Sequence, residues 1–155
     1  MSRTNFENLR VYKLAEELAD EIWKIVRRWD TFARDTVGRQ IVRCADSIGA
    51  NIAEGTGRYN FQDNRRFVKT ARVSLNETQH FLRRAFKKNL LTAADVKKIK
   101  PLVDNLAPQL NSYLKSIGRD HQGEQLLTTN YELLTNFPSS IPPRRAGRLR
   151  ACRRG

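Results

Sequence analysis

Apolar residues recur at alternating steps of three and four along four stretches of the chain, which is the spacing of amphipathic helices. TFARD follows the first stretch, and we expect it to interrupt the helix there. The fourth stretch ends near Gly118. No stretch shows the period-two alternation of a half-buried strand. The pattern predicts an all-α fold, an up-down antiparallel four-helix bundle over residues 1–118. The predicted core positions are Val11, Ala15, Leu18, Ile22, Ile25 and Trp29, then Val37, Ile41, Ala45, Ile48 and Ile52, then Phe67, Ala71, Leu75, Thr78, Leu82 and Ala85, and finally Ile99, Leu102, Leu106, Leu110, Tyr113 and Ile117.

The segment SIGANIAEGTGRYN, residues 47–60, holds three of the chain's eight glycines and predicts the end of the second helix. Ser47, Ala50 and Ala53 are small enough to let a neighbouring helix approach closely. Gly55 stands where a left-handed C-terminal cap is expected. A phosphate-binding loop is excluded, because no strand precedes GTGR and no Lys-Ser/Thr pair follows it. We therefore interpret the segment as a helix end and its turn.

Two polar residues of that segment are expected to have partners. Glu54 lies near a helix C-terminus, where a carboxylate opposes the helix dipole. It should therefore form an ion pair, with Arg43 or Arg58 as the candidates. Asn51 lies on a small, apolar face and is expected to cap or to hydrogen-bond inside the bundle.

The start of the fourth helical stretch carries several local signals. Thr92 and Asp95, three residues apart, are typical of a capping box. Pro101 is expected to begin a new helix in its first turn, where a missing N–H is harmless. Pro108 lies farther into that stretch and is expected to kink the helix.

Beyond residue 118 the helical periodicity ends. Residues 119–155 contain three of the five prolines and have six arginines among the last twelve residues. We expect a disordered or loosely docked basic tail, compatible with a short helix in GEQLLTTNYELL. An extension without a function is the alternative, and the sequence favours neither.

Lysine and arginine outnumber aspartate and glutamate by 29 to 16, a formal net charge of +13. This charge favours an anionic partner, most simply nucleic acid, although an acidic protein or membrane surface would also fit. The surplus is localised. Residues 58–100 hold twelve basic and three acidic side chains, whereas residues 1–57 and 101–118 are each neutral. Residues 119–155 supply the remaining +4.

The third helix gathers five of these cations on one face, within about 80° of arc, in a stripe roughly 33 Å long. Such a stripe matches the regular charge of a phosphate backbone. The alternative is a solvated face that keeps the protein soluble, although such faces normally mix both signs of charge. Tyr59 and Phe61, near the start of the stripe, are expected to pack in the core or turn rather than stack on bases. With one flanking arginine, the predicted nucleic-acid-binding residues are Arg58, Arg65, Lys69, Arg72, Arg83 and Lys87.

Side chains suited to catalysis or metal binding are few and scattered. The histidines are His80 and His121, and the cysteines, Cys44 and Cys152, form no CxxC pair. No metal-ligand or catalytic spacing is present, so we predict no enzymatic activity and no cofactor. Cys44 is expected to be a small buried residue rather than a nucleophile. The cysteine usage indicates a reduced, cytoplasmic protein, and no apolar run predicts a membrane span.

Three blocks, FENLRVYKLAEEL, QIVRCADSIGANIAEGTGR and RRFVKTARVSLNET, resemble a known family over about residues 5–118. They look like the bacterial four-helix bundle family that includes proteins encoded in intervening sequences of large-subunit ribosomal RNA genes. A glycine is common there just before the Ser-Leu pair, where this chain has Val73. The matching residues are Ser47, Ile48, Asn51, Ile52, Ala53, Glu54, Gly55, Gly57 and Arg58, followed by Arg66, Phe67, Ala71, Ser74, Leu75 and Glu77.

The resemblance implies a subunit that assembles into a ring, a homopentamer. It also implies a relation to the accessory variability determinant of diversity-generating retroelements, a basic pentameric barrel that partners a reverse transcriptase and binds nucleic acid. Two functions are therefore expected. One is a non-enzymatic, oligomeric RNA- or nucleic-acid-binding bundle, and the other is an adaptor that binds a reverse transcriptase and its template RNA. A bundle whose charge serves only solubility is the third alternative.

Overall fold

The computed structural model describes residues 6–118, which fold into a bundle of four long helices with no strand among them. The prediction of an all-α fold is confirmed for these residues, whereas the predicted tail, residues 119–155, lies outside them. The four long helices, α1 to α4, span Arg10–Val26, Arg39–Thr56, Phe61–Lys87 and Ala93–Ser116. Shorter helical turns precede α1 and α2, at Phe6–Asn8, Thr31–Ala33 and Arg34–Gly38.

Each helix packs against its neighbours in sequence, and α4 closes the bundle against α1. Contacts at the helix ends give the directions. Arg28, just after α1, lies 2.5 Å from the Asp95 carboxylate in the first turn of α4. Arg65, in the second turn of α3, donates to the carbonyl oxygen of Leu114 at the end of α4. Hence α4 runs antiparallel to both α1 and α3.

The core follows the predicted apolar pattern closely. All predicted core positions are buried except for five that are half-buried, namely Val37, Phe67, Leu82, Leu102 and Tyr113. Thr78, the polar member of the set, is fully buried, and its hydroxyl donates to the carbonyl oxygen of Ser74 at 2.8 Å. The hydroxyl of the buried Thr78 therefore has a partner inside its own helix.

Two expected helix boundaries in the first half of the chain are wrong. The break after α1 lies at residues 27–30, and Asp30 caps the next helical turn by accepting the Ala33 N–H at 2.9 Å. TFARD therefore begins the second helical segment instead of interrupting the first. Gly55 is not a left-handed cap either, because α2 continues to Thr56 and Gly55 keeps a negative φ.

The start of α4 was predicted correctly, but the role of its first proline was not. The Thr92 N–H donates to Asp95 Oδ2 at 2.9 Å and the Asp95 N–H donates to Thr92 Oγ1 at 3.2 Å, which confirms the capping box. Pro101 begins no new helix, because α4 runs from Ala93 to Ser116 through both Pro101 and Pro108. Both prolines are exposed. The carbonyl groups they leave unpaired, four residues earlier, are therefore on the hydrated side.

Asp95 is the one buried carboxylate among the described residues. Burial raises the pKa of Asp95, but the hydrogen bonds from Thr92 and from Arg28 outweigh this effect and hold the pKa below its usual value. The charged form of Asp95 therefore stabilises both the first turn of α4 and its contact with the end of α1.

The small residues of α2 give α3 its close approach. A Cβ atom on Gly55 would lie 2.6 Å from Asn64 Oδ1 and 3.0 Å from Phe67 Cβ. Along the same interface the hydroxyl oxygens of Ser47 and Ser74 are 3.0 Å apart. The expected close approach is therefore confirmed at Ser47, and Gly55 contributes to it by packing.

The other small and polar residues of this segment face different surroundings. Asn51 donates to the carbonyl oxygen and to Oγ of Ser47, at 2.7 and 3.1 Å, so it hydrogen-bonds inside the bundle as predicted. Ala50 is exposed and Ala53 half-buried, and both line a shallow groove beside Phe6. Among the described residues these two alanines do not mediate the approach of α3.

Candidate nucleic-acid interface

The orientation of α3 determines which of its side chains can meet a ligand. The helix is 27 residues long, about 40 Å at helical rise. Asn60 caps it by accepting the Gln62 N–H at 2.8 Å. Its inner face packs against α2 and α4 through Val68, Ala71, Ser74, Leu75, Thr78 and Ala85. Because this buried set covers one side of the helix, the opposite face is free of the other described helices along most of its length.

Four of the six predicted binding residues are exposed on that face: Lys69, Arg72, Arg83 and Lys87. Within residues 6–118 their side chains form no hydrogen bond and no ion pair. We call these four residues the open stripe. They form two pairs, separated by about 4.5 Å and about 6 Å of helical rise, with about 16 Å of rise between the pairs.

Arg65, the fifth predicted residue of the stripe, contacts the protein itself. It is half-buried, and its Nη1 donates to the carbonyl oxygens of Leu114 and Ile117 at 3.0 and 3.3 Å. These carbonyls lie at the C-terminus of α4, where backbone acceptors lack helical partners. Arg65 therefore acts as a cap for α4, and these contacts use only Nη1 of the five-donor guanidinium.

Arg58, the flanking residue, is likewise engaged. It is exposed and pairs with the Glu54 carboxylate one turn earlier. Its guanidinium carbon lies 5.0 Å from the centroid of the Phe67 ring. The expectation that Glu54 has an arginine partner is confirmed, and of the two candidates the partner is Arg58 rather than Arg43.

The acidic residues of α3 do not neutralise the open stripe. Asp63 is in the first turn, where a carboxylate complements the helix dipole. Glu77 is directed to α2, where its Oε2 accepts a hydrogen bond from the Cys44 thiol at 3.4 Å. At 100° per residue, Glu77 is at least 80° around the helix from each cation of the open stripe. Neither acidic residue of α3 therefore pairs with the open stripe.

Cys44 is buried on α2, as predicted. Burial and the neighbouring Glu77 carboxylate raise the pKa of the Cys44 thiol to about 11. The thiol is therefore protonated at neutral pH and is a poor nucleophile there.

Among residues 6–118, no group of three or more His, Cys, Asp or Glu side chains is arranged to hold a metal ion. Within residues 6–118, every helix falls short of the length and hydropathy of a membrane span.

A groove between α3 and α4 is a feature that sequence reasoning missed. The volume of this open groove is about 740 Å³. Phe86 lines it and is 58% exposed, and Arg83 and Lys87 of the open stripe lie on its α3 side. The one signal in the sequence is that Phe86 falls outside the core spacing of α3, between two cations. The apolar residues that form the floor are Leu82, Leu91, Val96, Ile99 and Val103.

The two aromatic residues at the start of the stripe differ in their surroundings. Tyr59 is fully exposed in the turn between α2 and α3, so the expectation that it packs in the core or turn is wrong. It precedes the cap residue of α3, and no element within residues 6–118 covers it. Phe61 is partly exposed and packs beside Gly118, the residue with positive φ that follows α4. Phe61 therefore packs against a turn, as expected.

Comparison with known proteins places this bundle in a family. A search of curated proteins finds no match. A family described as 23S rRNA-intervening sequence protein matches residues 7–112, which is more than half of the chain. This range includes all six predicted binding residues and the α3–α4 groove, while the relation to retroelement accessory proteins stays a prediction. The chain therefore belongs to the 23S rRNA-intervening sequence protein family.

Proposed function

We propose that this protein is a non-enzymatic, RNA-binding helical bundle whose open stripe contacts the phosphate backbone. The observation that carries the proposal is the open stripe itself, four exposed cations on one helix face without an acidic partner among the described residues. Cations held this close repel one another, and an anionic polymer relieves that repulsion. Family membership is compatible with a nucleic-acid-related role and favours RNA as the first ligand to test.

The six predicted residues have different proposed roles, because their contacts within the protein differ. The two pairs of the open stripe would meet phosphates directly, because nothing in residues 6–118 competes for their donors. Arg58 and Arg65 already bind Glu54 and the end of α4. We assign Arg58 and Arg65 a smaller share of the affinity for RNA, through the N–H groups that take no part in these contacts. Such contacts position RNA without reading its sequence.

We also propose that the bundle works as an oligomer, the homopentameric ring that the resemblance implies. Trp23 and Phe32 support self-association, because they are 54% and 78% exposed and large exposed aromatic residues often mark interaction surfaces. A ring would repeat the open stripe in each subunit and raise the affinity for a long RNA by avidity. Light scattering coupled to size-exclusion chromatography should give a mass about five times the 17.9 kDa of one chain. A monomer mass would contradict the ring.

The binding proposal is tested with two variants of equal charge. One carries K69E, R72E, R83E and K87E. The control carries R10E, K13E, R34E and R39E, at four exposed cations on α1, on the turn Arg34–Gly38 and on α2. Fluorescence anisotropy with a labelled single-stranded RNA should show binding by the wild type and the control and none by the stripe variant. Equal weakening in both variants would show that only bulk charge matters, and unchanged binding by the stripe variant would exclude the stripe.

The adaptor role makes a different prediction. A reverse transcriptase bound directly to the protein would stay bound after nuclease treatment, whereas one held through RNA would be released. Copurification with and without nuclease, followed by sequencing of the released RNA, separates the two. Retention of the protein partner after nuclease would favour the adaptor.

A further inference from the structure

The groove between α3 and α4 has features that a phosphate backbone alone does not need. It combines an apolar floor, an exposed aromatic ring and two cations of the open stripe. We propose that this groove receives an unpaired base of single-stranded RNA, which stacks on Phe86 while Arg83 and Lys87 hold its flanking phosphates. This inference rests on the proposed function and specifies which form of RNA the site selects.

Phe86 is placed as a stacking residue would be. Its neighbour Ala85 is completely buried, whereas the Phe86 side chain is 58% exposed near the end of α3. It directly precedes Lys87 and follows Arg83 by three residues, so the ring and both cations occupy one helical turn. Aromatic rings that stack bases beside cations that track the backbone are the usual combination in single-strand binding.

The charge of the groove also suits a nucleotide. Asp104 is the one carboxylate among the described residues that line it, and it is paired with Lys100 of the same helix. A base entering with its phosphates therefore meets no unpaired negative charge. The floor formed by Leu82, Leu91 and Ile99 offers apolar contact to the base.

Stacking on Phe86 requires a base that is free of its neighbours. The bases of a duplex are paired and stacked on one another, so they cannot enter the groove without opening the helix. A duplex can still contact the open stripe through its phosphates. The site is therefore expected to bind single-stranded RNA more tightly than the duplex of the same sequence.

The test compares Phe86→Ala, Phe86→Trp and Val73→Ala with the wild type. Val73 is a matched control, because it is 56% exposed on α3 and does not line the groove. Anisotropy titrations use one RNA oligonucleotide as a single strand and as a duplex. Phe86→Ala should weaken single-strand binding by roughly 5- to 150-fold, the range expected for one stacked base, and leave duplex binding unchanged. Phe86→Trp and Val73→Ala should bind both forms like the wild type.

Each other outcome identifies what failed. Phe86→Ala could change neither the affinity for single-stranded RNA nor that for the duplex, or it could lower both equally. Either result overturns the stacking role of Phe86 and does not contradict phosphate binding by the open stripe. If Phe86→Ala lowers the particle mass in light scattering, a second copy of the chain occupies the groove and the inference is likewise overturned. If the wild type binds neither RNA form, the proposed function itself fails.

Discussion

Alanine substitutions at two glycines of α2 should move the free energy of unfolding in opposite directions. In Gly55→Ala the new Cβ lies 2.6 Å from Asn64 Oδ1, 3.0 Å from Phe67 Cβ and 3.2 Å from the Asn64 carbonyl oxygen. The Asn64 side chain can rotate away, but the other two atoms move only with the backbone of α3. In Gly49→Ala the nearest atom is Tyr12 Cε2 at 3.5 Å, an ordinary contact.

The magnitudes follow from two opposing effects. Replacing glycine by alanine in a helix interior stabilises the helix by about 1 kcal/mol. Overpacking an interface costs about 1–3 kcal/mol, and this cost applies at Gly55 alone. We therefore expect Gly55→Ala to lower the free energy of unfolding by up to about 2 kcal/mol. Gly49→Ala should raise it by about 0.5–1 kcal/mol.

Urea denaturation followed by circular dichroism measures both changes. The denaturation midpoint should fall for Gly55→Ala and rise for Gly49→Ala, with the same dependence on urea in each. Both variants replace glycine by alanine in the same helix, so helix propensity favours both of them, and only the close contacts at Gly55 oppose it. Shifts of the same sign in the two variants would refute the close approach of α2 and α3 that aims the open stripe at solvent.

Three further predictions concern other sites. Asp95→Asn should cost about 1–3 kcal/mol at neutral pH in urea melts. The folded pKa of Asp95 is lowered, so the stabilisation by its charged form is complete above the unfolded pKa of about 3.9 and is lost as the pH falls through the folded pKa. The free energies of unfolding of the wild type and of Asp95→Asn should therefore converge in acid. In a Cys152→Ser background, the rate of alkylation of the Cys44 thiol should be low at neutral pH and should rise up to about pH 11. Glu77→Gln should increase this rate, because it removes the carboxylate that raises the pKa of the thiol. An alkylation rate that does not depend on pH would contradict this prediction. Arg65→Ala should lower stability by about 1 kcal/mol and weaken RNA binding less than alanine at any residue of the open stripe.

The helices were predictable because burial of apolar side chains dominates the choice of helix face. Spacing alone identified core residues such as Leu18, Ile48 and Leu106, all completely buried. The helix boundaries were less predictable. The role of Gly55 depends on Asn64 and on Phe67 in another helix, which local sequence does not reveal. Likewise, a proline rule cannot foresee that α4 keeps both prolines on its hydrated side.

The candidate site was predictable as a set of charges but not as a set of contacts. Arg65 and Lys69 look alike in the sequence, one helical turn apart on the same face. Only the position of the end of α4 shows that Arg65 is a cap and that Lys69 is open. Phe86 was missed because the groove beside it depends on how α3 and α4 pack, and the sequence pattern of one helix does not contain that information.

The central claim is that the open stripe binds RNA through phosphate contacts, and the salt dependence of binding tests it most directly. Affinity for single-stranded RNA is measured against salt for the wild type, for K69Q, R72Q, R83Q and K87Q combined, and for the control R10Q, K13Q, R34Q and R39Q. Each phosphate contact contributes about −0.7 to the slope of the logarithm of the association constant against the logarithm of the salt concentration. The wild type and the control should therefore have the same slope, and it should be steeper by about 2.8 than the slope of the stripe variant. Equal slopes for the stripe variant and the wild type would contradict the claim.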